Sequence, residues 1–222
     1  ITSGIKAEHF TRVLRADPNK KGLLYAGTET GIYISFDDGL SWRSFQLNLP
    51  IVPITDITIK DNSLIVATQG RSLWVLDDLG LLHQINKNTL SEDMTLFKPK
   101  QSFRTEGSSM KNYLIKGTNL PNGVVFHFNL NDFDSKKDTV RLHFKDGEGK
   151  LIQTFSSIDK KNELFVRKGG NSFIWDTHYK GAEVLDDMIF WSTSFKGPKA
   201  VPGKYKVILE KGNQFKEQDF TI

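Results

Sequence analysis

Nearly every readable segment of this chain alternates apolar and polar side chains with a period of two. Val124, Phe126, Phe128 and Leu130 are interleaved with Val125, His127 and Asn129, and Val140, Leu142 and Phe144 with Arg141, His143 and Lys145. Tyr205, Val207 and Leu209 stand among Lys204, Lys206 and Glu210, and Ile57 and Ile59 among Asp56, Thr58 and Lys60. Successive side chains of a strand point to opposite faces, so this is the period of strands buried on one side. Turn-forming residues punctuate the segments: Asp17-Pro18-Asn19, Asp38-Gly39, Asp61-Asn62, Asp146-Gly147, Pro202-Gly203 and Lys211-Gly212-Asn213. No stretch of helical length pairs a 3.6-residue period with capping residues. The sequence predicts an all-β fold.

The first third repeats itself. Leu24, Thr28, Asp37 and Asp38 recur as Leu64, Thr68, Asp77 and Asp78, each 40 positions on, and the preceding strand Val13–Asp17 matches Ile57–Asp61. A β-rich unit of about 40 residues has the period of a propeller blade. Two copies cannot close a ring that needs at least about four blades. Residues 1–85 are therefore expected to be terminal blades of a β-propeller, and the chain a fragment of a longer protein, as its opening Ile1–Ile5 suggests. Residues 86–109 read as a linker: Asn86-Lys87-Asn88, Lys98-Pro99-Lys100 and Glu106-Gly107-Ser108-Ser109 flank the short apolar stretch Met94–Phe97. Over 110–222 strands return without the repeat, with the length and turn spacing of a β-sandwich.

Composition removes several chemistries. The 222 residues contain no Cys, which excludes disulfides, thiolate metal sites and cysteine nucleophiles. A net charge of +4, from 30 basic and 26 acidic side chains without a basic stripe, gives no footprint for nucleic acid. No apolar run approaches the roughly 18 residues of a membrane helix. The five histidines form no His-x-His or His-x-x-x-His pair. No Gly-x-Ser-x-Gly elbow or phosphate-cradling glycine loop is present. No catalytic residue, metal or cofactor is expected in this chain.

One motif is sharp. Ser35-Phe36-Asp37-Asp38-Gly39-Leu40-Ser41-Trp42 fits the Asp-box, Ser-x-Asp-x-Gly-x-Ser/Thr-Trp, at every defining position. Asp37 can accept backbone N–H groups across a hairpin. Gly39 can take positive φ, Ser41 can close the turn, and Trp42 is expected to pack between blades. Asp37 as a catalytic carboxylate or metal ligand is the competing reading. A self-contained hairpin, however, offers no second carboxylate on an opposing face. Ser35, Asp37, Gly39, Ser41 and Trp42 are therefore assigned a structural role. With Thr68–Asp78, this stretch resembles the last blades of the large Asp-box (BNR-repeat) proteins of Bacteroidetes. Those are similar to sortilin-type (VPS10) propellers and to tandem-propeller xyloglucanases, and are often labelled glycosyl hydrolases. The resemblance covers residues 8–85. The second copy, Asp77-Asp78-Leu79-Gly80, lacks the Ser/Thr-Trp ending. The resemblance implies a secreted, periplasmic or cell-surface location. No residue here matches the catalytic carboxylates of the xyloglucanases.

The C-terminal part carries a second resemblance. Asp146–Ile152, Gly170–Asp176 and Val201–Val207, in that order, are similar to the immunoglobulin-like domain of the flagellar hook-capping type, over residues 123–222. Trp175 is then expected to plug the core, Asp176 to cap the following turn, and Pro202-Gly203 to start the next strand. The departure is an insertion over Glu183–Lys199. There Glu183, Asp186 and Asp187 stand beside Phe190 and Trp191, with Phe195 behind. Three readings stay open: packing of the apolar residues with the acids in water, a protein or sugar surface, and an ion site of clustered carboxylates.

The expected function is that of a non-catalytic interaction or accessory region of a larger secreted or surface protein, presenting loops to proteins or glycans. Its partners would be upstream propeller domains of the same polypeptide and a protein or glycan ligand, with no nucleic acid and no membrane span. Two alternatives remain. The chain is the accessory tail of a glycoside hydrolase whose carboxylates lie upstream, or a purely structural cap of the propeller.

Overall fold

Hairpins turn the alternation into antiparallel sheets throughout the computed structural model, which describes residues 2–104, 121–182 and 195–222. The chain divides into two units, Ile1–Asn86 and Lys87–Ile222. The all-β expectation holds: among the described residues, two helices of five residues each accompany strands in four sheets.

In the first unit, β1 (Thr11–Ala16), β2 (Leu24–Thr28), β3 (Gly31–Ser35) and β4 (Arg43–Ser44) form one sheet in chain order. The strands β5 (Ile54–Lys60), β6 (Ser63–Thr68) and β7 (Leu73–Leu76) form a second, and helix α1 (Gly80–Gln84) follows. The sheets meet through Tyr25, Ile32 and Ile34 of the first and Ile54, Ile57, Leu64 and Val66 of the second. Gly27 sits at this contact. A Cβ there would lie 2.6 Å from Ile54 Cγ2 and 2.7 Å from Val13 Cγ1, so the bare backbone sets how closely the sheets approach. The opposite face of the first sheet carries Ala26, Tyr33 and Trp42, with Ile5 and Leu24 packed on them. Trp42 therefore does not lie between the two sheets. It packs on the far face, where its N–H donates to the Ser3 carbonyl at 2.8 Å. Strand β3 is buried along its whole length and β2 nearly so, as both faces of that sheet are covered.

The repeat is real at the level of individual hydrogen bonds. The Thr28 hydroxyl donates to the Gly31 carbonyl at 2.9 Å and the Thr68 hydroxyl to the Ser72 carbonyl at 2.6 Å. The Asp38 N–H donates to Gly22 and the Leu79 N–H to Asn62, each at 3.0 Å. The second hairpin holds one extra residue, so beyond it the correspondence shifts by one. Asp37 thus corresponds to Asp78, not to Asp77.

In the second unit, helix α2 (Lys87–Ser91) leads into β8 (Met94–Leu96), and β9 (Val124–Leu130), β10 (Val140–Lys145), β11 (Leu151–Ser156), β12 (Gly169–Trp175), β13 (Lys204–Lys211) and β14 (Gln214–Thr221) follow. They form a three-stranded sheet, β12-β9-β8, and a four-stranded one, β11-β10-β13-β14. The inward sides meet in an aromatic core. Trp175, fully buried, stacks on Phe144 with ring centroids 4.7 Å apart, and Phe126 meets Phe144 and Phe220 edge-on at 5.1 Å each. The stretch read as a linker differs from that expectation. Met94 pairs with Leu130 and Leu96 with Phe128, adding β8 to the sheet. Burial of Met94, Leu96 and Phe97 supplies the reason, and Gln218 Nε2 donates to the Leu96 carbonyl at 3.1 Å.

Replacing Gly27 by Ala should lower the stability of the first unit by about 1–3 kcal/mol, because Ile54 and Val13 cannot both retreat from a packed contact. Urea unfolding followed by circular dichroism measures it, and an unchanged midpoint would contradict this account of the sheet contact.

Candidate functional site

The Asp-box closes on itself. Asp38 and Gly39 adopt positive φ of 58° and 85°, which turns the chain after β3. The Ser35 hydroxyl donates to Asp37 Oδ1 at 2.8 Å and accepts the Gly39 N–H at 2.9 Å. The Ser41 N–H donates to the same Oδ1 at 2.8 Å, and the Ser41 hydroxyl to Oδ2 at 2.5 Å. Both carboxylate oxygens of Asp37 are thus engaged within the loop, while Trp42 is buried beneath it. The structure brings together all five residues of the motif, and what they build is a hairpin.

A second constellation in this unit has no local sequence signature. Asp17 is buried in the turn after β1. Its Oδ1 accepts the N–H groups of Asn19 at 2.8 Å and Lys20 at 3.1 Å. Its Oδ2 accepts from the Tyr25 hydroxyl at 3.2 Å and lies 2.9 Å from His83 Nε2 on α1. Burial by itself would raise the Asp17 carboxyl. Hydrogen bonds from His83, Asn19 and Tyr25, with attraction from His83, outweigh it and hold the group below the usual carboxylate range. Burial and the neighbouring Asp17 push the Tyr25 phenol upward. Lys20, lowered by burial, donates Nζ to the carbonyls of Leu82, at 2.8 Å, and Ile85. These contacts clamp the segment after β7 onto the start of the unit. His83 and Asp17 are 66 positions apart, so no local pattern in the sequence joins them.

In the second unit, Trp175 fills the core and Asp176 caps the next turn, accepting the His178 N–H at 3.2 Å. Thr177 holds φ of 64°, a strained value for a β-branched residue. Its neighbours fix it: its carbonyl accepts the Ala200 N–H at 2.7 Å, and Trp175 Nε1 donates to the His178 carbonyl at 3.3 Å. Asp176 Oδ2 lies 3.1 Å from His178 Nδ1 and 3.3 Å from Lys196 Nζ. Burial would raise this carboxyl, but the His178 N–H, the His178 charge and Lys196 bring it below its ordinary value. Glu183, Asp186, Asp187, Phe190 and Trp191 lie outside the described residues. Their flanks meet: the Ala182 N–H donates to the Phe195 carbonyl at 3.2 Å.

The histidines are dispersed. His9 Nδ1 lies 2.7 Å from Thr30 Oγ1 and 2.9 Å from the Tyr33 hydroxyl oxygen. His143 bridges Thr154 and Glu210, both at 2.9 Å. Among the described residues no group of three or more His, Asp or Glu side chains could hold a metal ion. None of the described helices is long and apolar enough to cross a membrane.

No protein family matches the sequence, and no curated protein does. Among solved structures, the chain has a remote likeness to the extracellular domain of a hybrid two-component system from B. thetaiotaomicron. The identity is 14%, the TM-score 0.24, and the match covers 96% of this chain. It spans 30% of that protein's chain.

Asp37→Ala leaves Ser35, Ser41 and the turn amide without their acceptor, and should destabilise the first unit by about 1–3 kcal/mol while the second unit melts unchanged. Thermal unfolding resolved by unit tests this. The Asp17 carboxyl gives a pH dependence of known sign. Its folded pKa is depressed, so its contribution is complete above the unfolded value of about 4 and is lost as pH falls through the folded value. Urea midpoints between pH 7 and pH 2 should therefore drop in acid, and Asp17→Asn should show a smaller drop; parallel curves would refute the assignment.

Proposed function

We propose that this chain is a non-catalytic interaction and accessory region of a larger secreted or surface protein. In this reading the first unit holds the last blades of an Asp-box propeller and the second is an immunoglobulin-like sandwich. Two successive antiparallel sheets in chain order support the first assignment. Two sheets closing face to face on Trp175 support the second. The observation that carries the functional reading is the Asp-box itself. Both oxygens of its carboxylate accept hydrogen bonds within the hairpin, so the sharpest motif in the chain serves a rigid frame. Frames of this kind act through the loops they present. The ligand-facing candidates are Glu183, Asp186, Asp187, Phe190 and Trp191, with proteins or glycans as the partner class.

The test is a glycan-array and surface-protein binding screen with the 222-residue chain, beside the double substitution Phe190→Ala, Trp191→Ala. Saturable binding that the double variant loses while its unfolding midpoint stays unchanged is the expected result. Glycoside hydrolysis by this chain, or binding that survives the double substitution and disappears with Asp37→Ala in the folded state, would overturn the reading.

A further inference from the structure

We propose that a cleft in the second unit, at the open side of the sandwich between β11 and β12, binds a neutral oligosaccharide. Half-buried aromatic rings and two side-chain amides hold it. The inference rests on the interaction reading above and deepens it, by naming the binding site and the ligand class.

The aromatic core supplies the floor of the cleft. Strands β11 and β12 end their respective sheets, so the core comes to the surface between them. Phe144, inside the core, meets Phe155 of β11 edge-on at 5.8 Å and stacks on Phe173 of β12 at 6.1 Å. Phe155 and Phe173 lie 4.6 Å apart, and both are only half-buried. The wall is an antiparallel ribbon that follows β12. There His178 bridges to Lys199, and the Tyr179 N–H donates to the Pro198 carbonyl at 2.9 Å. A Cβ on Gly181 would lie 2.0 Å from the Phe195 carbonyl oxygen, and one on Gly197 2.3 Å from that of Tyr179. Bare backbone at both positions lets the arms of the ribbon close. The ribbon thereby sets Tyr179 and Phe195, also half-buried, beside Phe155 and Phe173 around a cleft of about 580 Å³. Residues 183–194, which include the ligand-facing candidates named above, join the two arms in sequence.

The polar lining selects the ligand. Gln153 Nε2 donates to Asn162 Oδ1 at 3.1 Å, which orients both amides on the cleft. One amide hydrogen and the carbonyl oxygen of Gln153 are left over for a ligand. Asp176 adds a carboxylate whose charge is matched by Lys196 Nζ at 3.3 Å. A sugar hydroxyl both donates and accepts, so neighbouring hydroxyls suit amides and a paired carboxylate. The C–H groups of a pyranose ring carry partial positive charge and suit the negative faces of aromatic rings. A wholly apolar ligand would strip water from Gln153, Asn162 and Asp176 and return no hydrogen bond. An anionic ligand would compete with Asp176 for Lys196, and the described lining contains no arginine. The volume falls within the roughly 300–1,000 Å³ of small-ligand sites.

The test uses the 222-residue chain on an array of neutral hexose and pentose oligosaccharides beside uronic-acid, sulfated and sialylated glycans. A neutral oligosaccharide should bind, and titration of that compound should shift the backbone amide signals of Gln153, Asn162 and Phe173. Gln153→Ala and Tyr179→Ala should each weaken its binding by about ten-fold or more, with unfolding midpoints unchanged. The amide shifts need no variant, so they test the site even where a substitution disturbs folding. Binding that spares both variants, leaves those signals in place and is lost in Phe190→Ala, Trp191→Ala would overturn the cleft and leave the interaction reading standing. Binding confined to acidic glycans or to proteins would overturn the ligand class and likewise leave that reading standing. A chain that binds neither glycans nor surface proteins would overturn both.

Discussion

A sheet that is apolar on both faces has to be covered twice, and the first unit is organised around that requirement. Strands β2 and β3 alternate between two interfaces. Tyr25, Ile32 and Ile34 face the second sheet, while Ala26 and Tyr33 face Trp42 and Ile5. The second sheet meets the same requirement halfway. Leu64 and Val66 are buried against the first sheet, and Leu73 and Val75 remain exposed on the other side. Stacking is therefore head to tail: the face one copy turns forward is the counterpart of the face the next copy leaves open.

Polar side chains do different work in the two copies of the repeat. In the first, Asp37 gathers Ser35 and Ser41 and sends the chain back as β4. In the second, Asp78 accepts Gly80 and Asn62 and sends it into α1, where His83 reaches the buried Asp17. One extra residue in the β6–β7 turn and the loss of the Ser/Thr-Trp ending accompany this change of course. Asp17, paired and hydrogen-bonded, holds the far end of the segment. The consequence is a unit whose C-terminal segment is locked onto its start.

Much of this was legible in the sequence. The alternation located the inward faces of β9, β10 and β13 residue by residue, because only side chains of one parity reach the core. The Asp-box was legible because the bonds that join Ser35, Asp37, Gly39 and Ser41 span at most four positions. Trp175 and Asp176 were legible for a similar reason, as the cap acts two residues along the chain. Strand β8 was not: three residues flanked by polar segments carry no period, and only the aromatic core beneath Met94 and Leu96 makes them a strand.

The sequence by itself determined the fold class, the hairpins and the residues that face inward, since these follow from the stereochemistry of a strand and the short reach of turn hydrogen bonds. Tertiary structure alone decided which faces are covered and that His83 closes on Asp17. Those outcomes depend on contacts between residues dozens of positions apart, for which local pattern carries no signal.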